Sequence, residues 1–204
     1  MCKIGAPRSR RDFFLNLGGA AIAIATIGKI GTTQAVAKEA AAGLEEPPPM
    51  TRDEMIAHLR TANEVARETA AHGHHPFGAV LVGPDDAIMM RQGNLDTVRH
   101  AETELSRRAF AAYGAEFLRG CTLVTTFEPC AMCAGTIYWA NIGRVVYGVE
   151  ETALLALTGD DAQNLTMHLP CRTVLGAGQK KIAVYGPFPE LEAELVAPHR
   201  DFWK

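Results

Sequence analysis

The sequence predicts an α/β protein, a three-layer α/β/α sandwich with a mixed five-stranded sheet. The first observation behind this prediction is that short apolar runs of strand length alternate with longer segments whose apolar residues recur at helical spacing. The second is composition: 204 residues with 48% hydrophobic and 21% charged side chains are ordinary for one globular domain. Strands that alternate with helices form a mixed sheet covered by helices on both faces.

The first predicted elements are a helix and a β-hairpin. Thr51, followed three residues later by Glu54, forms a capping-box pattern, and the apolar residues after it predict a helix that ends at about His72. Two short apolar runs separated by the turn sequence Gly83-Pro84-Asp85-Asp86 then predict paired strands at 78–82 and 87–90.

The remaining elements follow a loop that begins after Asn94. Glycines at 143 and 148 separate apolar segments, and a further loop surrounds residues 159–161. The pattern predicts, in chain order, a helix at 101–112, a strand at 122–127, a helix at 131–140, a strand at 144–147, a helix near 150–157, a strand at 182–185 and a C-terminal helix.

Residues 1–37 have the features of an export signal. Arg10 and Arg11 open a basic region, an apolar run rich in Gly, Ala and Ile follows at 15–27, and residues 35–37 offer the small side chains of a cleavage site. The paired arginines resemble a twin-arginine signal, which predicts the twin-arginine export machinery as a partner and a periplasmic or secreted protein. A membrane anchor or an amphipathic helix fits less well, because the run is short, rich in Gly and Ala, and has no polar face.

Residues 38–50 and the charge of the chain complete the domain prediction. Residues 38–50 are rich in Ala, Glu and Pro and predict an extended linker, which leaves 51–204 as the functional domain. The chain carries −3 overall but +4 in residues 1–37, so the remainder carries −7. An acidic domain without a basic stripe repels polyanions, so we expect a small-molecule substrate and no stable binding of nucleic acid.

His100, Cys130 and Cys133 have the ligand types and the short spacing of a zinc site. A structural zinc ion is normally held by four protein ligands, whereas a catalytic ion keeps one position open for water. Three ligands leave that position open, and zinc lowers the pKa of a bound water toward about 7. Glu102 does not share a helix face with His100 and can approach the water from the side. The pattern therefore predicts one Zn²⁺ per chain, with Glu102 as the group that moves the water's proton.

Two other interpretations of the cysteines remain. The Cys-x-x-Cys pair is also typical of thiol redox proteins, but that interpretation leaves the His-Ala-Glu sequence unexplained. The pair could also be half of a four-cysteine structural zinc site completed by Cys121 and Cys171, but these are isolated in the sequence. We expect Cys121 and Cys171 to be core thiols, with a disulfide as the alternative in an oxidising compartment.

Residues 55–203 resemble the cytidine and deoxycytidylate deaminase superfamily, which also contains guanine deaminases and tRNA adenosine deaminases. The Glu-Pro-Cys-x-Met-Cys form with a histidine as third ligand is more similar to the purine-handling branches than to the free cytidine deaminases. The stretches that carry the resemblance are Pro76-Phe77-Gly78-Ala79, His100-Ala101-Glu102, Glu128-Pro129-Cys130-Ala131-Met132-Cys133-Ala134-Gly135, Ile137-Tyr138-Trp139-Ala140 and Gly143-Arg144-Val145-Val146-Tyr147-Gly148.

The resemblance implies roles for residues around the metal. It implies that His100, Cys130 and Cys133 hold the zinc ion, that Glu102 is the proton shuttle, and that the protein is a homodimer. Residues implied to bind the base are Asn94 and the backbone N–H of Ala101 by hydrogen bonds, Phe77 against its face and Trp139 in the pocket wall, with Asp160 and Asp161 near the place of an acidic pocket residue in guanine deaminases. Core packing is the alternative for the two aromatic residues, and an exposed turn is the alternative for the two aspartates.

Motif, charge and resemblance together predict a zinc-dependent hydrolytic deaminase that releases ammonia from a free nucleobase or nucleoside, with guanine or guanosine favoured. The alternatives are a tRNA adenosine deaminase and, in a different class, a non-catalytic zinc or thiol-redox module. The C-terminal residues 199–203 are rich in aromatic side chains, and we expect them either to close a pocket or to dock the last helix on the core.

Overall fold

A five-stranded sheet forms the centre of the computed structural model, which describes residues 46–159, 165–200 and 202–203. The strand order is β2-β1-β3-β4-β5. Strand β1 is antiparallel to β2 and β3, whereas β3, β4 and β5 are parallel to one another. The mixed five-stranded sheet predicted from the sequence is confirmed. The strands are β1 (Gly78–Val82), β2 (Ile88–Gly93), β3 (Thr122–Phe127), β4 (Arg144–Val149) and β5 (Ala183–Tyr185).

Helices cover both faces of this sheet. Because successive side chains of a strand point to opposite faces, Ala79 and Leu81 pack with one helical layer, and Val80 and Val82 pack with the other. The first layer contains α2 (Ala101–Leu118), α3 (Ala131–Ala140) and α5 (Cys171–Gly176), and the second contains α1 (Arg52–Ala71) and α6 (Glu192–Val196). Helix α4 (Glu151–Thr158) follows β4, and 3₁₀ turns at Pro189–Leu191 and Ala197–His199 flank α6. The three-layer α/β/α arrangement is therefore confirmed.

Helix α1 begins with the capping box expected from its sequence. The backbone N–H of Thr51 donates to Oε2 of Glu54 at 2.6 Å, and the hydroxyl of Thr51 accepts from the backbone N–H of Glu54 at 3.3 Å. These reciprocal bonds satisfy the backbone N–H groups of Thr51 and Glu54, which have no carbonyl partner within the helix.

Strands β2 and β4 extend to Gly93 and Val149, beyond their predicted ends, and three helices also differ from the sequence prediction. Helix α2 continues past 112 to Leu118 through a kink at Gly114, whose φ of 79° suits a residue without a side chain. Helix α5 was not expected, because six residues are too few to show helical periodicity. The C-terminal helix is only five residues long, since 3₁₀ turns with proline at their start precede and follow it.

Several predictions fall on residues outside the described part of the chain. These are the export signal at 1–37, most of the linker, and the pocket role of Asp160 and Asp161. The end of the linker lies against the domain, where Nη2 of Arg144 donates to the carbonyl oxygens of Pro47 and Pro48. Among the described residues, no helix combines the length and the hydropathy needed to cross a bilayer.

Candidate active site

The predicted zinc ligands meet at the carboxyl edge of the parallel part of the sheet. Strand β3 ends at Phe127 and leads to Cys130, the residue that caps the N-terminus of α3. His100 occupies the corresponding position at the start of α2. Ligands of α/β proteins commonly bind outside the carboxyl ends of parallel strands. Two helix N-termini, which favour negative charge, therefore point at the place where the thiolates lie.

His100, Cys130 and Cys133 form a triangle of the size that a zinc ion requires. Nδ1 of His100 lies 3.7 Å from Sγ of Cys130 and 3.5 Å from Sγ of Cys133, and the two sulfur atoms are 3.6 Å apart. With usual Zn–S and Zn–N distances, tetrahedral coordination places two sulfurs about 3.8 Å apart and a sulfur and a nitrogen about 3.6 Å apart. The three side chains therefore fit one Zn²⁺ ion.

The surroundings of the two thiols favour metal binding. The hydrogen bond from Cys133 and the proximity of His100 lower the pKa of Cys130 to about 4, against the opposing effect of burial. The same contact with Cys130, together with burial, raises the pKa of Cys133. The hydroxyl of Thr103 donates to Sγ of Cys133 at 3.3 Å and supports a thiolate there.

Glu102 lies beside this triangle without belonging to it. Its side chain is 5% exposed, and burial raises its pKa, although the positive charge on His100 opposes that rise. Oε1 accepts a 2.7 Å hydrogen bond from the hydroxyl of Thr125, and Oε2 lies 3.5 Å from Sγ of Cys133. A carboxyl group with a raised pKa, fixed next to the metal position, is suited both to accept and to return a proton.

A cavity of about 400 Å³ opens onto His100, Glu102 and Cys130. One part of its wall is apolar and is made by Phe77, Phe127, Met132, Leu154, Leu165 and Met167. A second part carries the carboxyl groups of Glu128 and Glu151. No lysine or arginine is among the described residues that line it. The cavity is therefore acidic, with three carboxyl groups and no Lys or Arg counterion among its described lining residues.

The residues that the resemblance places around the base are found at different distances from this cavity. Phe77 lines it, and Ala101 is the buried first residue of α2 directly after His100. Asn94 is only 2% exposed and lies outside the cavity lining; its Nδ2 donates to the carbonyl of Asp96 at 3.1 Å, and its Oδ1 has no partner in the described structure.

Trp139 does not line the cavity of its own chain. Its side chain is 75% exposed and packs edge-on against Tyr138, with Nζ of Lys180 5.6 Å from the centre of its ring. Trp139 follows Cys133 by six residues, which places it about 240° around helix α3 from that ligand. The helix therefore points the indole away from the metal position of its own chain.

Glu128 and Glu151 also line the cavity and were not predicted from the sequence as site residues. Glu128 accepts a 2.9 Å hydrogen bond at Oε1 from the backbone N–H of Cys171. Burial raises the pKa of Glu151 to about 7, with further contributions from Cys130, Glu128 and Glu102. Both follow the carboxyl end of a parallel strand, and that position was the signal that could have identified them.

The C-terminal residues pack behind the aromatic wall of the cavity. The buried ring of His199 lies 5.0 Å from that of Phe77 and 4.5 Å from that of Phe127. Its Nδ1 accepts from the indole N–H of Trp203 at 3.2 Å, and Trp203 contacts His75, which lines the cavity. The C-terminus therefore supports Phe77 and His75 from behind.

Cys121 and Cys171 are buried free thiols, as expected. Neither belongs to the cluster of possible metal ligands, so a four-cysteine zinc site is not formed. Burial raises the pKa of Cys121 to about 12, which is the behaviour of an inert core thiol.

The comparisons with known proteins agree with this geometry. Residues 52–149 match the cytidine and deoxycytidylate deaminase zinc-binding region. A probable cytosine deaminase from Schizosaccharomyces pombe is 36% identical over 152 residues, which cover 72% of this chain and 91% of that protein. The chain belongs to the cytidine and deoxycytidylate deaminase family. It is a deaminase, a zinc-dependent hydrolase that acts on C–N bonds.

Other relatives of the deaminase act on different substrates. A guanine deaminase from Bacillus subtilis is 41% identical over 91 residues, 42% of this chain and 58% of that protein. A solved tRNA:A34 deaminase superposes with a TM-score of 0.53 at 28% identity, over 70% of this chain and 99% of the other. Family membership therefore establishes the class of reaction and leaves the substrate to be argued from the cavity.

Proposed function

We propose that this deaminase releases ammonia from a free, unphosphorylated nucleobase or nucleoside, with guanine or guanosine favoured. The observation that carries the proposal is the acidic cavity beside Glu102 and the zinc ligands. Its volume of about 400 Å³ is within the usual range for sites of small molecules. The flat ring of Phe77 offers a surface for a heterocycle, as aromatic rings commonly stack on one another.

The charge of the cavity supports an unphosphorylated substrate. A phosphate group in the cavity would face the carboxylates of Glu102, Glu128 and Glu151 without a described Lys or Arg to pair with it. A tRNA would in addition meet a domain whose net charge is −7 after the first 37 residues. Amino, ring N–H and hydroxyl groups, by contrast, can donate hydrogen bonds to carboxylates.

The residues around the metal supply the chemistry of hydrolysis. Zinc, when bound, makes a water molecule nucleophilic at neutral pH. Glu102 accepts the proton of that water and delivers it to the ring nitrogen beside the reacting carbon. Thr125 fixes the orientation of the Glu102 carboxyl, and Phe77 holds the plane of the base. The water oxygen would bond to the carbon that carries the amino group, and its second proton would pass through Glu102 to the amino nitrogen. The C–N bond then breaks, a carbonyl forms, and ammonia leaves.

A substrate panel tests this proposal. Ammonia release is measured with zinc-loaded protein on guanine, guanosine, adenine, adenosine, cytosine and cytidine, on the corresponding 5′-monophosphates, and on a tRNA anticodon stem-loop. We expect turnover of at least one unphosphorylated compound, with its monophosphate a poorer substrate. Turnover of the stem-loop alone would support the tRNA deaminase alternative and contradict the proposal.

We further propose that the deaminase is exported by the twin-arginine route and acts as a homodimer outside the cytoplasm. Arg10-Arg11, the apolar run at 15–27 and the small residues at 35–37 support export. The exposed indole of Trp139 is an apolar surface of the kind found at subunit interfaces. Cell fractionation of the full chain and of an Arg10→Lys, Arg11→Lys variant tests export, and light scattering of the purified protein tests the dimer.

A further inference from the structure

Glu151 carries a buried carboxyl oxygen without a hydrogen-bond partner. The residue is 8% exposed, and Oε2 contacts no donor within the described part of the chain. Buried polar atoms in proteins almost always have a partner, because leaving one unpaired costs stability. Because Glu151 also lines the cavity, a molecule bound there can supply the missing hydrogen-bond partner.

The position of Glu151 distinguishes it from the other cavity carboxyl groups. Glu102 is held by Thr125 beside the metal position, and Glu128 accepts from the backbone of Cys171. Glu151 is the first residue of α4, just beyond the carboxyl end of β4, and its Oε2 has no hydrogen-bond partner among the described residues. Of the three, Glu151 is the one with a buried oxygen that has no hydrogen-bond partner among the described residues.

The carboxyl group of Glu151 has no lysine or arginine to form a salt bridge with in the described part of the cavity lining. A molecule that occupies the cavity can supply the hydrogen-bond donor that Oε2 of Glu151 lacks among the described residues. The N–H groups of a base can donate to an ionised carboxylate, which only accepts hydrogen bonds. An anionic phosphate group does not fit beside such a carboxylate.

We propose that Glu151 is a substrate-recognising residue that accepts a hydrogen bond from a ring N–H of the bound base. This inference rests on the proposed function, because it names the group that selects an unphosphorylated base in the same cavity. Glu151 does not take part in proton transfer to the reacting atoms. It orients the base so that the carbon bearing the amino group faces Glu102.

A recognition role and a structural role predict opposite effects on stability. If Glu151 stabilised the fold, its replacement would lower Tm. An unpaired buried carboxyl that exists for the ligand instead costs stability, so its replacement by a neutral side chain of similar size raises Tm or leaves it unchanged while turnover falls. Residues that bind substrate at the expense of stability are typical of functional sites.

The test compares Glu151→Gln and Glu151→Met with Glu150→Gln, which removes the same charge from the exposed neighbouring residue. Zinc content, Tm, and kcat/KM are measured for each protein. The substrates are the base that the wild-type protein deaminates fastest in the panel and its ring-N-methyl analogues, each of which lacks one N–H donor. Sampling each ring nitrogen in turn identifies the donor that Glu151 contacts.

We expect both Glu151 variants to keep their zinc and a Tm at or above that of the wild type. Their kcat/KM for the parent base falls about 10- to 100-fold, the loss typical of one hydrogen bond to a charged group. For one N-methyl analogue, the kcat/KM of the same variants falls less than about 3-fold relative to the wild type. That analogue lacks the N–H group that would donate to Glu151. Glu150→Gln behaves as wild type throughout.

An equal loss on the parent base and on every analogue overturns the proposal, as does a Tm lowered by more than about 4 °C. Unchanged kcat/KM in both Glu151 variants overturns it as well. These outcomes differ from failure of the proposed function, in which the wild-type protein itself releases no ammonia from any unphosphorylated compound.

Discussion

The hydroxyl of Thr125 donates a 2.7 Å hydrogen bond to Oε1 of Glu102, and both side chains are buried. Thr125 lies on β3 and Glu102 in the first turn of α2, so this contact ties the proton-carrying carboxyl to the sheet. The second oxygen of Glu102 is thereby directed toward Sγ of Cys133 and the metal position. Such a contact orients the carboxyl and favours its ionised form.

We predict that Thr125→Val lowers kcat about 10-fold with little change in KM, because the variant loses the bond that orients Glu102 but keeps the walls of the cavity. Steady-state kinetics on the preferred base measure this. Thr126→Val is the matched control, since it makes the same change on the opposite face of β3. Equal kinetic losses in the two variants would contradict the positioning role.

Removal of one zinc ligand should empty the site. We predict that Cys133→Ala reduces bound zinc from one ion per chain to about a tenth or less. Tm falls as well, because a zinc ion that binds only the folded protein stabilises it. Metal analysis and thermal unfolding check both effects. Cys121→Ala also deletes a buried thiol, but this one lies outside the cluster, so its zinc content should remain that of the wild type.

His199 makes stability depend on pH. Burial lowers the pKa of its imidazole from 6.5 to about 3, with a further contribution from His75 and an opposing one from the backbone of Pro76. The unfolded chain therefore binds a proton at His199 between these two pH values, and the folded chain does not. Stability that is present above pH 6.5 is lost as the pH falls toward 3, at up to about 1.4 kcal/mol per pH unit.

We predict that His199→Gln, which keeps an acceptor for Trp203 but cannot titrate, reduces the fall in Tm between neutral and mildly acidic pH. Thermal unfolding of both proteins at several pH values above and below 6.5 gives the difference. Other acidic and histidine groups titrate in both proteins and cancel in the comparison. Parallel pH profiles for the two proteins would show that His199 is not held neutral in the folded state.

The capping box of α1 should contribute to stability. We predict that Thr51→Ala lowers the free energy of unfolding by about 1 kcal/mol, because it removes the acceptor for the backbone N–H of Glu54. Urea unfolding measures the change. Thr61→Ala, in the middle of the same helix, is the control and should be neutral or slightly stabilising, since alanine has the higher helix propensity.

Local patterns explain which parts of the fold could be predicted from the sequence. Strand β3 and helix α3 have the bounds expected from their apolar runs, because a turn or proline marks each end. The last turn of α2 was missed, since Gly114 interrupts the helix with a positive φ that periodicity does not show. The six residues of α5 are held by packing of Cys171 and Leu175 on the core, which is a tertiary effect.

The same distinction applies to the site. His100, Glu102, Cys130 and Cys133 could be predicted because each pair lies within three residues and carries an unusual chemistry. The residues that contact these side chains could not be predicted. Thr125, for example, is 23 residues from Glu102 in sequence and lies next to it only because the fold places β3 beside the start of α2. Trp139 is close to the ligands in sequence, yet helix geometry turns it to the surface. For Trp139, proximity to the ligands along the chain was therefore a poor guide to its position in the fold.

Turnover and metal content of Glu102→Gln test the central claim most directly, namely that a zinc site with a separate proton-carrying carboxyl forms the catalytic centre. The account predicts that the variant keeps one zinc ion per chain and the wild-type Tm, while ammonia release from the preferred base falls by about 10²- to 10⁴-fold. A variant that retains its zinc and deaminates at the wild-type rate would contradict the account.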